Sequence, residues 1–379
     1  MRGLRFSTGV RASEAAVFAV PIVVIALLPA VLTSGSARGL AITALLYALL
    51  AVSWNLTLGF AGVFNFGHIA FFGVGAYTAG IVGTRTSLSP WLCLLLGAVA
   101  GGFVSLVIFL PAARLRGVYA ALVTFIATQV AYSLVVSAHS VTGGATGTVG
   151  IPPLRIGSYA FYNNGNLGFY YTGGILLLLV LGGSYWLKRS LLGRSVIALK
   201  GNENYAISRG VRAARQRLII FVLSGLVAGI GGALYAQFLG VATPEVFAVD
   251  LTMVGLCAML LGGIGRNYGP ALGAAVIAVL NNQLQYSGVW RPIITSLVII
   301  GVLAFFPRGI AGLLGDVRDR LGGVLANRRQ ISQGPSPASG PVFQETDGQP
   351  RGGILELDKD PDPSGPAPST VRTVRRKDE

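Results

Sequence analysis

The sequence predicts an all-α protein, a polytopic integral membrane helical bundle of roughly ten transmembrane helices with both termini cytoplasmic. Three observations predict it. The chain of 379 residues is 53% hydrophobic and only 11% charged, where soluble domains run near about 25% charged. Apolar runs long enough to cross a bilayer recur along it. The net charge of +15 sits in the loops and tail that flank those runs. That is a positive-inside arrangement, so membrane lipid and no nucleic acid is the expected environment.

The elements follow in order. Residues 1–14 carry Arg2, Arg5 and Arg11 and read as a cytoplasmic N-terminus. The run from Glu14 to Thr33 has the flanks of a secretory signal, with Gly35-Ser36-Ala37 as a cleavage-like site. It is long for a signal core and more spans follow, so it reads as the first transmembrane helix. The spans are expected at 15–34, 40–58, 68–84, 91–111, 117–138, 169–187, 218–240, 252–264, 269–287 and 292–306, within a transmembrane domain 15–314. The short spans 68–84 and 252–264 are where a re-entrant or broken helix is expected.

With that count, Arg114, Arg116, the 188–217 loop, Arg266 and the tail fall inside, and only Arg38, Arg85, Arg155 and Arg291 fall outside. The external loop 139–168 is rich in Gly, Pro and Asn and reads as irregular and surface-lying. Gly97 with Gly101, Gly225 with Gly229 and Gly269 with Gly273 are spaced to let helices approach closely. Cys93 and Cys257 read as packing residues. Residues 327–379, dominated by Pro, Gly, Ser, Gln and charge, read as a disordered cytoplasmic tail. LGFAG at 58–62 and LGGIG at 261–265 hint at an internal repeat.

The stretch Leu191–Phe221 organises the chain. It lies between two spans and holds Arg194, Lys200, Arg209, Arg212, Arg215 and Arg217, with Glu203 its one acid. Each such charge at a bilayer centre costs about 2.5–3.5 kcal/mol, so the stretch does not span. Asn202 as N-cap, Glu203 at the positive end and Gly210 as a left-handed stop mark a short helix, Glu203 to Arg209, displayed for another protein.

Absent chemistry is equally informative. No acid occurs between Glu14 and Glu203, so no intramembrane relay for an ion-coupled carrier is apparent. No phosphate-binding P-loop, metal-ligand cluster or nucleophile–base set is present. Neither cofactor, metal nor catalysis is expected, and a pump built from this chain borrows its energy from a partner. Polar residues near the bilayer concentrate in Ser53–Thr78, where Asn55, Asn65, His68, Tyr77 and Thr78 lie among glycines. They read either as the lining of a translocation path or as bonds between helices. For His68 the second reading is favoured, a helix-start residue bonded to a nearby carbonyl.

Leu58–Gly62 through Gly67–Tyr77 resembles the signature of the branched-chain amino acid permease family of ABC importers, of the LivM/LivH type and nearer to LivM. Arg114–Tyr119, the Thr142–Pro152 loop, the segment Pro244 to Gly269 and Phe306–Leu313 are similar to further motifs of that family, in the same order. The resemblance implies a coupling motif at Gly193, Arg194, Ala198, Asn202, Glu203, Ala206 and Gly210, read by an ATPase. The chain departs from it with Lys200-Gly201 and Tyr205. It also implies two cytoplasmic ABC ATPase subunits, a second homologous permease and an external substrate-binding protein, working at a bacterial plasma membrane. Branched-chain or related amino acids are the implied cargo, with urea or short amides as the alternative. A self-sufficient carrier or channel is the rival mechanism.

Overall fold

The computed structural model describes residues 12–32, 34–115 and 117–284, with isolated positions between 290 and 301. The chain divides into a unit Met1–Val324, which holds every element below, and a unit Leu325–Glu379. The expected span 292–306 falls almost wholly, and the tail 327–379 wholly, outside the described residues.

The helices are α1 (Ala12–Val31), α2 (Gly35–Trp54), α3 (His68–Arg85), α4 (Pro90–Ala112), α5 (Val118–Ser137), α6 (His139–Thr142) and α7 (Asn163–Arg189). They continue with α8 (Leu191–Gly201), α9 (Glu203–Ser208), α10 (Ala213–Leu239), α11 (Val249–Gly262) and α12 (Gly269–Gln283). Each expected span up to 269–287 therefore holds a helix over most of its described residues. Local chemistry sets several starts. Ser34 caps α2 by accepting from Ala37 N, and Ser89 caps α4 ahead of Pro90 at its first turn. Among the described residues, five helices are long and apolar enough to cross a membrane: Gly35–Phe60, α4, α5, α7 and α10. Pro21–Val31 and α11 are shorter apolar helices.

Two junctions build the bundle. In one, α3, α4 and α10 meet through glycine. A Cβ on Gly229 would lie 2.5 Å from Gly97 O, and one on Gly101 would lie 2.6 Å from Gly225 O. Backbones at that separation exclude every side chain. In the other, α2 packs against α7, α11 and α12, with Leu46, Leu49, Tyr170, Ala258 and Ile277 in its core. Gly269 and Gly273 bring α12 onto the end of α11, where their Cβ positions fall 2.4 Å from Gly262 O and 2.0 Å from Ala258 O. All three glycine pairs expected from the sequence thus mark close helix contacts.

The short spans behave differently from each other. α3 is continuous and largely buried, from His68 through Gly80, so protein rather than lipid is its surrounding. α11 is short because the chain dips into the bundle before it starts. A short 3₁₀ turn, Pro244–Phe247, places Phe247 against Gly73 and stacked on Tyr77 at 6.0 Å.

The 139–168 segment is more ordered than its composition implied. Its strand β1 (Thr148–Val149) pairs antiparallel with β4 (Val241–Ala242), and β2 (Arg155–Ile156) forms a hairpin with β3 (Tyr159–Ala160). Ile151, Leu154 and Phe161 are buried. Apolar side chains spaced among the glycines anchor what the glycines leave free. Arg38 and Arg85, two of the few basic residues at this end, donate to loop carbonyls at Asn164 (3.0 Å) and Val141 (2.8 Å).

Candidate functional site

The opposite end gathers α2's last turn, the start of α3, the end of α7, α8, α9 and the α11–α12 turn. After Trp54 the backbone loosens into a π-helical turn, Asn55–Phe60. Such turns are frequent at functional sites. Asn55 holds it in place: its Nδ2 donates to Arg266 O at 2.9 Å, and its Oδ1 accepts from Gly265 N at 2.8 Å. Gly59 is required beside it, since a Cβ there would lie 2.0 Å from Asn55 Oδ1 and 2.9 Å from Gly265 N. The two similar segments, 58–62 and 261–265, therefore lie against each other.

The segment expected as a partner-docking loop is two helices. Ser190 turns the chain out of α7 and caps α8 by accepting from Gly193 N at 3.1 Å. Gly193 allows the tight turn, as its Cβ would fall 2.0 Å from Leu187 O. Arg194 Nε donates to Arg189 O at 3.0 Å. Along α8, Leu192 and Val196 pack with Leu56, Phe60, Ala61 and Ile220, and Leu199 is buried too. This helix was not among the sequence expectations. Its signal was present as a serine cap and apolar residues at helical spacing, hidden among charges.

The next helix agrees with expectation to within a residue. Asn202 Oδ1 accepts from Tyr205 N at 3.0 Å, α9 runs Glu203–Ser208, and Gly210 turns left-handed at φ +84°. Ala198 O receives Asn202 N at 3.0 Å, which joins the two helices. Glu203 pairs with Arg217 at 3.0 Å, tying α9 to the start of α10. Within α9 only Ala206 is buried. Tyr205 (58%) and Ile207 (47%) stand exposed on a segment otherwise rich in charge.

Two lysines connect this segment to the π-helical turn and to the α11–α12 turn. Lys200 Nζ donates to Gly59 O at 2.7 Å, and its stem covers Gly62. Lys188 Nζ reaches Gly265 O at 3.4 Å and lies 5.7 Å from the Phe60 ring. Burial, and secondarily Lys188, hold the Lys200 ammonium below the usual lysine range.

The five residues read as a path lining or as helix bonds are dispersed. Asn55, Asn65, His68 and Tyr77 are buried within this one chain, and Thr78 is half-buried. Asn65 Oδ1 accepts from Gly67 N at 2.7 Å, and its Nδ2 lies 3.0 Å from His68 Nδ1. The amide can only donate, so Nδ1 accepts and the proton sits on Nε2. His68 does open α3, stacked on Trp54 at 5.1 Å, and its ring is held by the Asn65 amide and by the backbone of Ser53 and Asn65.

Comparison with known proteins places this architecture. The family described as the branched-chain amino acid transport system, permease component, matches residues 36–306. The high-affinity branched-chain amino acid transport system permease protein LivM of Salmonella typhimurium is 25% identical over 314 residues, covering 77% of this chain and 74% of that protein. LivH of the same organism and transport system is 24% identical over 290 residues, covering 70% and 91%. The xylose transport system permease protein XylH of Escherichia coli is 29% identical over 134 residues, covering 33% and 34%. No solved structure matches. The family match runs from the first turn of α2 past the end of α12, so it takes in the π-helical turn, α8, α9 and the α11–α12 turn together. The chain, a multi-pass transport permease of the bacterial membrane, belongs to the branched-chain amino acid transport system permease family.

Proposed function

We propose that this chain is one of two permeases in an ABC importer for branched-chain or related amino acids, worked by alternating access. Two ATPase subunits dock on the 188–217 segment, which we place in the cytoplasm, and a substrate-binding protein delivers cargo at the 139–168 face. One observation carries the reading: α8 rests its apolar stripe on the π-helical turn while α9 presents Tyr205, Ile207 and Arg209 outward. A partner that moves α9 moves α8, and α8 bears on a helix that is already loosened.

The roles divide accordingly. Gly193, Arg194, Ala198, Asn202, Glu203, Ala206 and Gly210 shape and orient the coupling segment. Asn55, Asn65 and His68 hold the inner ends of α2 and α3, a role their bonds to Gly265, Gly67 and each other support. Tyr77 and Thr78 remain the residues assigned to the path. The stretch shared with a xylose permease supports a common engine with interchangeable cargo, so amino acid selection rests mainly with the delivering protein.

The test is ATP-driven leucine uptake into vesicles carrying the complete transporter from the native host. Glu203→Lys or a bulky residue at Gly210 is expected to abolish uptake while the permease remains folded. Normal uptake in both variants removes the coupling role. Leucine uptake by this chain alone, driven by an ion gradient, overturns the importer reading and restores the self-sufficient carrier.

A further inference from the structure

Two lysines touch the π-helical turn and the α11–α12 turn. Lys200 leaves the C-terminal turn of α8 and ends on Gly59 O, within the π-helical turn. Lys188 leaves the last turn of α7 and points to Gly265 O in the α11–α12 turn. Each carbonyl lies at or just beyond the C-terminal end of its helix, where the backbone dipole is negative and an ammonium is favoured. The targets also touch each other, because a Cβ on Gly265 would lie 3.2 Å from Gly59 O. The Asn55 amide bonds both backbones into one body. Asn267 extends that body to α7 by donating to Leu181 O at 3.0 Å.

We propose that Lys200, seconded by Lys188, is a positioning latch that fastens the coupling segment to the paired inner ends of α2 and α11, so that movement of α8 shifts both ends together. The reading rests on the coupling role assigned to 188–217. Lys200 carries the larger share, since its 2.7 Å bond is within normal length and the 3.4 Å of Lys188 is at the limit. An ammonium suits the task because it can swivel about one carbonyl through a stroke without losing its charge-assisted bond. The stem of Lys200 against Gly62 adds an apolar bearing surface, and a larger residue at 62 would displace it: a Cβ there meets Lys200 Cγ at 2.8 Å. The latch makes a specific demand. Removing the charge while keeping the stem must loosen the inner ends without disturbing the α3–α4–α10 junction.

The experiment uses the complete transporter purified from its native host and reconstituted with ATP, with Lys200→Met and the K188M/K200M double variant. ATP hydrolysis and leucine uptake are read together. The expected result is uptake per ATP hydrolysed lowered about tenfold in K200M, more in the double variant, and largely restored in Lys200→Arg. Hydrogen exchange is measured in parallel on the complete transporter, as a readout independent of activity. Faster exchange at 55–62 and 263–267 with unchanged exchange in α4 and α10 supports the latch. Unchanged uptake per ATP in both variants, or exchange that rises throughout the bundle, overturns it. If the unaltered transporter couples no hydrolysis to uptake, the importer reading fails and the latch with it; if it couples and the variants do too, only the latch fails.

Discussion

Asn55 shows how much one side chain can decide. Its amide is buried and satisfies a backbone donor and a backbone acceptor in the α11–α12 turn. Truncation to Ala leaves both groups without partners, which costs about 1–3 kcal/mol. Asn55→Ala is expected to lower the thermal midpoint in detergent by several degrees, read by tryptophan or dye fluorescence. An unchanged midpoint means the turn finds other partners. Glu203 is the contrasting case. Its ion pair with Arg217 is about a quarter exposed on each side, and pairs near the surface contribute about 0–1 kcal/mol. Glu203→Gln should hardly move the midpoint and yet reduce coupled uptake. A large loss of stability would show the pair to be structural instead.

At the scale of elements, glycine does two different jobs. Gly229 is a matter of space: the α4 backbone occupies the place of any side chain. Overpacking of this kind costs about 1–3 kcal/mol and more where backbone must shift. Gly229→Leu is expected to separate α10 from α4, seen as loss of the monodisperse peak in size exclusion. Gly210 is a matter of conformation: nothing lies within 4 Å of its Cβ, but φ is +84°. An L-residue there costs roughly 1–2 kcal/mol, and Asn tolerates the region better. Gly210→Asn should therefore retain more uptake than Gly210→Ala, with equal expression of both. The reverse order would mean that the partner needs the bare backbone rather than the turn.

At the scale of the molecule, the contacts sort helix ends into two sets. One holds Arg38, Arg85 and the β1–β4 pair; the other holds Lys188, Lys200, Arg209 and the π-helical turn. Single cysteines at Gly157 and Ser208, both exposed, should label from opposite sides of the membrane with an impermeant maleimide, Ser208→Cys from inside only. The natural Cys93 and Cys257 are buried and give a low background. Labelling of both positions from one side would overturn the orientation proposed for the coupling segment.

The positions of the helices were legible in the sequence because each rests on a property of its own residues. An apolar run of sufficient length must be satisfied within itself in lipid, and only a helix does that. The cap at Asn202 and the stop at Gly210 were legible for the same reason, since each acts on backbone within a few residues. The α8 helix carried its signal in Ser190 and the spacing of Leu192, Val196 and Leu199, but the density of charge concealed it. The site itself was not legible. That Asn55 grips Gly265, that Lys200 reaches Gly59 and that Phe247 enters beside Gly73 depend on segments far apart in the chain. The long apolar helices and the left-handed stop at Gly210 could be read from their own residues, because those are local energies. Only the tertiary structure decided which carbonyl each lysine reaches and which polar side chains are consumed as structural bonds, because those depend on helix separations of a few ångströms set by glycine packing elsewhere.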